Sequence, residues 1–413
     1  MSNKRSNGEG TITLRKDGRW EAKYTFEGKR KAIYGKTQKE VKTLLKQKLR
    51  EIEIASEKGY TNYIEKSKVT LGQWLDIWLD KYCKTSVRAS TYSWYEMFVR
   101  VHIKPILGEC KMCNLSTEKL QELFNLKKKC PSNNDKTKTL SGRTIDAIRR
   151  VIRAALNQAK IDGYILSDPI KGVKIGTLSK PDVRALTREE QFRLHKTAEK
   201  WQKEWPSAFA IILSMYTGMR KGEILGLRWC DVDLFTENPT IHVRHSLSRQ
   251  INLDGGDKKT VRKLSDTKTN GSKRDIPIMP QLLDDFKKYM ESQIYLKKQN
   301  NIIHQETDFV FQNSVFKEHE PKRFYDKYLE ILKDANIQNA DFHTLRHTFA
   351  TRAIENVMDI NTLSAILGHA QTSTTVNRYC HAIEEHKKIG MEKVSYIFSF
   401  DDNNCRQNQN QVI

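Results

Sequence analysis

Three short segments in the C-terminal half combine residue types suited to handling an oxyanion. Thr217-Gly218-Met219-Arg220-Lys221-Gly222-Glu223 follows the apolar run FAIILSMY at a glycine break. An arginine leaving an apolar segment needs a carboxylate or phosphate, because a desolvated guanidinium without a partner is costly. Glu223 lies three positions on, so a structural Arg220–Glu223 pair satisfies the pattern as well as a bound anion does. His343-Thr344-Leu345-Arg346-His347 reads as helical, with His343 and Arg346 on one side. A metal is disfavoured there. The HExxH zinc motif keeps a carboxylate between its histidines, whereas this segment sets a fixed cation beside them. An oxyanion near a helix start fits better, and separate structural roles for these side chains fit too. Leu367-Gly368-His369 is followed ten positions later by Tyr379. Taken alone, such a tyrosine is more commonly a packing residue than a nucleophile.

Those segments need a scaffold, and the patterning supplies one over residues 187–395. Thr187 and Glu190 have the spacing of a capping box before a helix. Strand-like runs TIHVRHSL, KTVRKLS and RDIPIM follow the first arginine segment. Helical patterns then recur at 280–298, 321–335, 343–356, 361–367 and 372–386. This predicts a mixed α+β domain with a small antiparallel sheet inserted among helices. The tail, residues 396–413, is polar beyond the apolar patch VSYIFSF, which needs covering by its own sheet or a neighbouring protomer.

Upstream, residues 11–34 alternate as short strands with turn signals at Asp17-Gly18 and Glu27-Gly28. Thr37 and Glu40 form a second capping-box pattern, before a helix near 38–58. The result, over residues 1–60, is a small three-stranded sheet plus one helix, with a core of marginal size. Residues 59–68 read as a polar linker. An all-α unit is expected over 69–165, with helices near 71–82, 90–102, 117–129 and 142–161. Pro105 and Gly108 end the second of these, and a polar insertion at 130–142 reads as a loop. Residues 166–186, with two prolines and several lysines, read as an extended interdomain linker.

Charge divides unevenly along the 413 residues. Of the formal +22, residues 1–180 carry 38 Lys and Arg against 19 Asp and Glu, while residues 181–413 carry 34 against 31. The basic excess therefore belongs to the N-terminal part, and a nucleic-acid backbone explains it best, since neutralised phosphates release counterions. No stretch approaches 18 consecutive apolar residues, and no apolar core follows the basic start, so neither a membrane span nor a secretory leader is expected. Seven scattered cysteines include one CxxC, Cys110–Cys113, with Cys130 nearby. A tetrahedral zinc site needs a fourth ligand. His102 is the available candidate, but it falls where a helix places an ordinary residue, so reduced thiols and no metal are expected.

In order, the chemistry-bearing segments read Arg…Lys…His-x-x-Arg…Gly-His…Tyr, which resembles the tyrosine recombinases, and among them the integrases of temperate phages and conjugative transposons. TGMRKGEILGLRW resembles the first arginine box, and HTLRHTFA the second. SDTKTNGSKRDIPI resembles the hairpin that presents a lysine, and LGHAQTSTTVNRY the segment that ends on the nucleophile. The resemblance implies a catalytic set of Arg220, Lys268, His343, Arg346, His369 and Tyr379, with Glu223 behind Arg220. It implies cleavage and rejoining of duplex DNA through a 3′-phosphotyrosine, with no metal or other cofactor. Residues 1–60 resemble an arm-type DNA-binding domain and 69–165 a core-binding domain. DNA contacts are then expected from Arg15, Arg19, Lys23, Arg143, Arg149, Arg150, Arg153 and Lys174. Implied partners are core-type and arm-type attachment sites, three further copies in a homotetramer on paired sites, and accessory excision and DNA-bending proteins. The expected location is the cytoplasm, at the nucleoid. Two other readings fit parts of the pattern: a strand-rejoining topoisomerase-like or relaxase-like enzyme, against which the arm-like unit speaks, and a catalytically silent DNA-binding regulator, which would not need the six-residue set.

Overall fold

The computed structural model describes residues 10–26, 29–60, 62–132, 137, 139–176, 184–252, 260–266, 273–369, 371–373, 391 and 395. The chain divides into two units, one built on residues 1–180 and the other on most of residues 181–413.

The first unit opens with an antiparallel sheet of β1 (Thr11–Leu14), β2 (Trp20–Phe26) and β3 (Lys29–Gly35), in that order. Helix α1 (Gln38–Glu57) packs on it, with Ala22, Tyr24, Val41 and Leu45 buried between them. Thr37 caps α1 through the Glu40 amide, but the Glu40 carboxylate accepts from Lys36 N at 2.8 Å, so only half of the expected capping box forms. The polar run at 59–68 is not a linker. It contains α2 (Tyr63–Lys68), whose Tyr63 and Ile64 are buried in the same cluster as Ala55, with Leu166 packed against it. Lysines fasten this corner to the helical part: Lys58 donates to Leu166 O and Lys66 to Asp162 O, each at 2.8 Å.

Helix α3 (Leu71–Ile77) runs through a π-helical stretch, Trp78–Cys83, into α4 (Lys84–Ser86). Likewise α5 (Ala89–Phe98) continues through a second such stretch, Val99–Ile103, into α6 (Lys104–Leu107). The helical path therefore passes Pro105 and stops at Gly108, the second of the two expected breakers. Lys104 N bonds Val99 O five residues back, and this wider turn relieves the crowding that a proline ring imposes on the preceding turn. α7 (Thr117–Lys129) and α8 (Gly142–Ile161) complete the bundle. Trp74 is fully buried at its centre and donates to Ala155 O at 3.0 Å. Residues 166–176 also depart from the extended reading. Ile170 is buried in the bundle core within a short 3₁₀ turn, Pro169–Gly172, and Gln121 binds both the N–H and the C=O of Lys174 at 2.9 Å.

In the second unit, α9 (Arg188–Trp201) begins with the complete Thr187–Glu190 capping box. The apolar α10 (Phe209–Thr217) is buried on nearly every side, and α11 (Lys221–Leu225) follows after three residues. Strands β4 (Val232–Asp233), β5 (Thr240–Val243), β6 (His245–Ile251), β7 (Thr260–Asp266) and β8 (Arg274–Pro277) form two small sheets rather than one, ordered β4-β5-β8 and β6-β7. Helices α12 (Pro280–Gln299), α13 (Pro321–Asp334), α14 (Phe342–Glu355) and α15 (Ile360–Leu367) complete the unit. Phe209, Phe286, Phe311, Phe324, Tyr328 and Leu345 are at the centre of its main core. A satellite cluster of Phe349, Ala350, Leu363 and Leu367 holds α14 against α15. Among the described residues no helix is long and apolar enough to cross a membrane.

Candidate active site

Four of the six predicted catalytic positions are described, and they come from three separate turns of the second unit. Each turn has a local reason. Gly218 ends α10 with φ of +64°, a left-handed conformation that favours glycine, and a Cβ there would stand 2.7 Å from Phe349 Cδ1 and 2.9 Å from Leu367 Cδ2. Asp341 caps α14 by accepting from Thr344 N at 2.9 Å, which fixes the first turn that carries His343. Gly368 ends α15 with φ of +63°, immediately before His369.

Arginines knit these turns together. Arg346 is 1% exposed, and its two terminal nitrogens donate to Gly218 O, at 2.9 Å, and to Leu367 O. Arg220 is half-buried and donates to Gly368 O at 3.3 Å. A third arginine joins them. Arg274, at the start of β8, donates from Nε to Ile366 O. Three consecutive carbonyls at the end of α15 thus each receive an arginine, where the helix dipole favours positive charge. His343 and His347 meet edge to face, with ring centroids 4.6 Å apart. Lys221, adjacent to Arg220, lies over the Tyr325 ring at 4.8 Å instead of joining the cluster.

Glu223 is 4% exposed and holds this arrangement from behind. Its Oε1 accepts from Arg220 Nη1 at 2.7 Å and Arg274 Nη1 at 3.2 Å. Its Oε2 accepts from Arg220 N at 2.9 Å and Arg274 Nη2 at 2.8 Å. Burial pushes the carboxyl up, but the hydrogen bonds and charge of Arg274, then those of Arg220, outweigh it and hold the pKa at about 2. Two guanidiniums share this carboxylate, and Arg346 adds a third positive charge at the end of α15, so the cluster suits an anion. Among the described residues no group of three His, Cys, Asp or Glu side chains is placed to hold a metal.

Arg274 is the site residue that sequence reasoning missed. The signal was present: in RDIPI the alternation buries Arg274 and Ile276 on the same side of β8, and an inward-facing arginine requires a carboxylate. Lys268 and Tyr379 lie outside the described residues. The DNA-contact candidates fall in the first unit at three places. Arg15, Arg19 and Lys23 surround Asp17 and Glu21 on the small sheet, at ion-pair distances of 2.8–3.5 Å. Arg143, Arg149, Arg150 and Arg153 lie within an arc of about 120° on α8, taking 100° per residue, opposite the face whose Ile148, Val151, Ile152 and Ala155 are buried. Arg149 and Arg150 both pair with Asp146, and Arg150 also lies 5.7 Å from the centre of the Trp94 ring. Lys174 is held through its backbone by Gln121, and its side chain is exposed.

Residues 184–386 match the phage integrase family, and residues 70–127 match the phage integrase N-terminal SAM-like domain. The chain is 27% identical over 379 residues to a tyrosine recombinase XerC-like protein of Caldanaerobacter subterraneus subsp. tengcongensis, covering 89% of this chain and 92% of that one. It is 25% identical to an integrase of Streptomyces ambofaciens over 96% of this chain and 98% of the relative. Among solved structures, the Tn1549 transposon integrase superposes with a TM-score of 0.63 at 22% identity, over 79% of this chain and 99% of that one. The lambda integrase superposes at 0.52 and 17% identity, over 91% and 96%. With integrase models matched over more than half its length and an arginine-lined anion site built from the matched segments, the chain belongs to the phage integrase family of tyrosine recombinases, site-specific DNA strand transferases that act through a phosphotyrosine intermediate.

Proposed function

We propose that this recombinase integrates and excises a mobile DNA element, with Tyr379 as nucleophile and Arg220, Lys268, His343, Arg346 and His369 around the scissile phosphate. The observation that carries this reading is the convergence of Arg220 and Arg346 on the end of α15, beside His369. In the reaction, the Tyr379 oxygen bonds to phosphorus and the bond to the 5′ oxygen breaks. The two arginines offset charge on the non-bridging oxygens in the transition state. Lys268 protonates the departing 5′ oxygen, His343 assists proton transfer, and His369 donates to a non-bridging oxygen. Glu223 acts through Arg220. One phosphodiester is exchanged for another, so no nucleotide is consumed, and a partner strand's 5′ hydroxyl reverses the step.

Residues 1–60 are assigned to an arm-type site and 69–165 to a core-type site, joined to the catalytic domain (187–395) through 166–186. The arginine arc of α8 supports the core-site assignment. Solved relatives support duplex DNA and multiple protomers as partners: the Tn1549 integrase was solved with transposon-end and circular-intermediate DNA, and the lambda integrase as a dimer on a core site and a tetramer on a Holliday junction. The tail, 396–413, is assigned to contacts between protomers, and accessory excision and bending proteins to the choice of direction.

The test is a nicked duplex carrying the element's own core site, incubated with protein in the presence of a chelator. A covalent protein–DNA adduct should accumulate, and Tyr379→Phe should abolish it while DNA affinity stays within about threefold, since one hydroxyl carries little of a phosphate-dominated interface. An adduct that persists in Tyr379→Phe would remove that residue from the assignment.

A further inference from the structure

The Glu223 carboxylate has about four acceptor positions, and four donors occupy them: Arg220 N and Nη1, and Arg274 Nη1 and Nη2. This saturation has a consequence for Arg220. A buried carboxylate facing one arginine draws it into a two-pronged fork, because bidentate pairing is the strongest arrangement open to both. Here Arg274 already makes that fork, with side chains 6% and 4% exposed. Arg220 is left with one side-chain bond to Glu223 and one to Gly368 O. Together those bonds engage two of its five N–H donors.

Arg274 also joins parts of the site that are far apart in sequence. It begins β8, six positions after Lys268, and its Nε holds Ile366 O, three residues before His369. The Glu223 fork then connects the start of β8 and the end of α15 to the first arginine box.

We propose that Arg274 is a positioning residue for strand transfer. By saturating Glu223 and binding the end of α15, it keeps the Arg220 guanidinium turned toward the scissile phosphate instead of folded onto the carboxylate. This rests on the reading of Arg220 as a phosphate-neutralising group. Removal of Arg274 leaves Glu223 with Arg220 as its remaining arginine partner among the described residues, and Arg220 closes onto it. Arg274→Lys keeps the charge but cannot make the planar fork, so it does not restore the geometry.

The experiment uses full-length protein in single-turnover cleavage of the core-site duplex, with either an ordinary scissile phosphate or an uncharged methylphosphonate. Arg274→Met should slow cleavage of the ordinary phosphate by about 50-fold or more, the scale of losing a preorganised charge stabiliser, with DNA affinity nearly unchanged. Arg274→Lys should be slowed as well. On methylphosphonate, which has no charge for Arg220 to offset, both variants should come within about fivefold of wild type. Equal loss on the two linkages, or cleavage of the ordinary phosphate by Arg274→Lys at the wild-type rate, would overturn the proposal; the lysine variant also covers the case in which methionine prevents folding. Arg220→Lys is the reference. If methylphosphonate does not rescue it, the role given to Arg220 fails, whatever Arg274 does.

Discussion

At the residue scale, the site is organised around one carboxylate, and this makes a pH prediction. Glu223 has a folded-state pKa of about 2, below its ordinary 4.5. A depressed carboxylate pKa contributes stability that is fully present above the unfolded value and is lost as pH falls through the folded one. Unfolding of the wild type by denaturant should therefore show stability falling between about pH 4.5 and pH 2. Glu223→Gln should be less stable at neutral pH and flatter across that window, and a variant with unchanged acid dependence would contradict the role assigned to this carboxylate. Arg220, Arg346 and the histidines were legible in the sequence because each lies in a short segment, TGMRKGE, HTLRH or LGH, where basic side chains are set closely together or against a glycine break. Arg274 was not, because its partner Glu223 is 51 positions away and the only local trace is its place on the inward side of a short apolar strand.

At the scale of elements, the glycines that end α10 and α15 bring carbonyls within reach of the arginines. Gly218→Ala would force a left-handed alanine and drive its Cβ into Phe349 and Leu367. A loss of about 1–3 kcal/mol is expected from the backbone conformation alone. Cleavage should slow as well, because Gly218 O anchors Arg346. Thermal unfolding and single-turnover rates measured together check both, and a fully stable, fully active alanine variant would contradict the account. Long periodic helices and the capped starts of α1 and α9 were readable from spacing. The short α2 was not, since its buried apolar residues are one adjacent pair, Tyr63 and Ile64, set among polar neighbours. Pro105 misled for a different reason. Proline ends an α-helix of ordinary pitch, but a π-helical turn ahead of it lets the path continue, and side-chain periodicity does not reveal that turn.

At the scale of the whole molecule, the boundary between the two units falls at residue 180, where the charge also changes from strongly basic to nearly neutral. On the proposed function, gripping DNA and cutting it have different electrostatic designs. The first unit carries a general basic excess, and the second concentrates three arginines at the end of α15, two of them on one carboxylate. Replacing Arg143 and Arg153 together by alanine in the full-length protein should weaken core-site binding and flatten the salt dependence, lowering the slope of log K against log salt by about 2 if each contacts a phosphate. An unchanged slope would place that face of α8 away from the backbone.

Mass spectrometry of the trapped adduct tests most directly whether Tyr379 becomes joined to DNA. Trypsin should release a peptide beginning at Tyr379, after Arg378, with nucleotide attached to the tyrosine oxygen through a 3′ phosphate, leaving a free 5′ hydroxyl on the other strand end. A linkage at any other residue, or to a 5′ phosphate, would contradict the account.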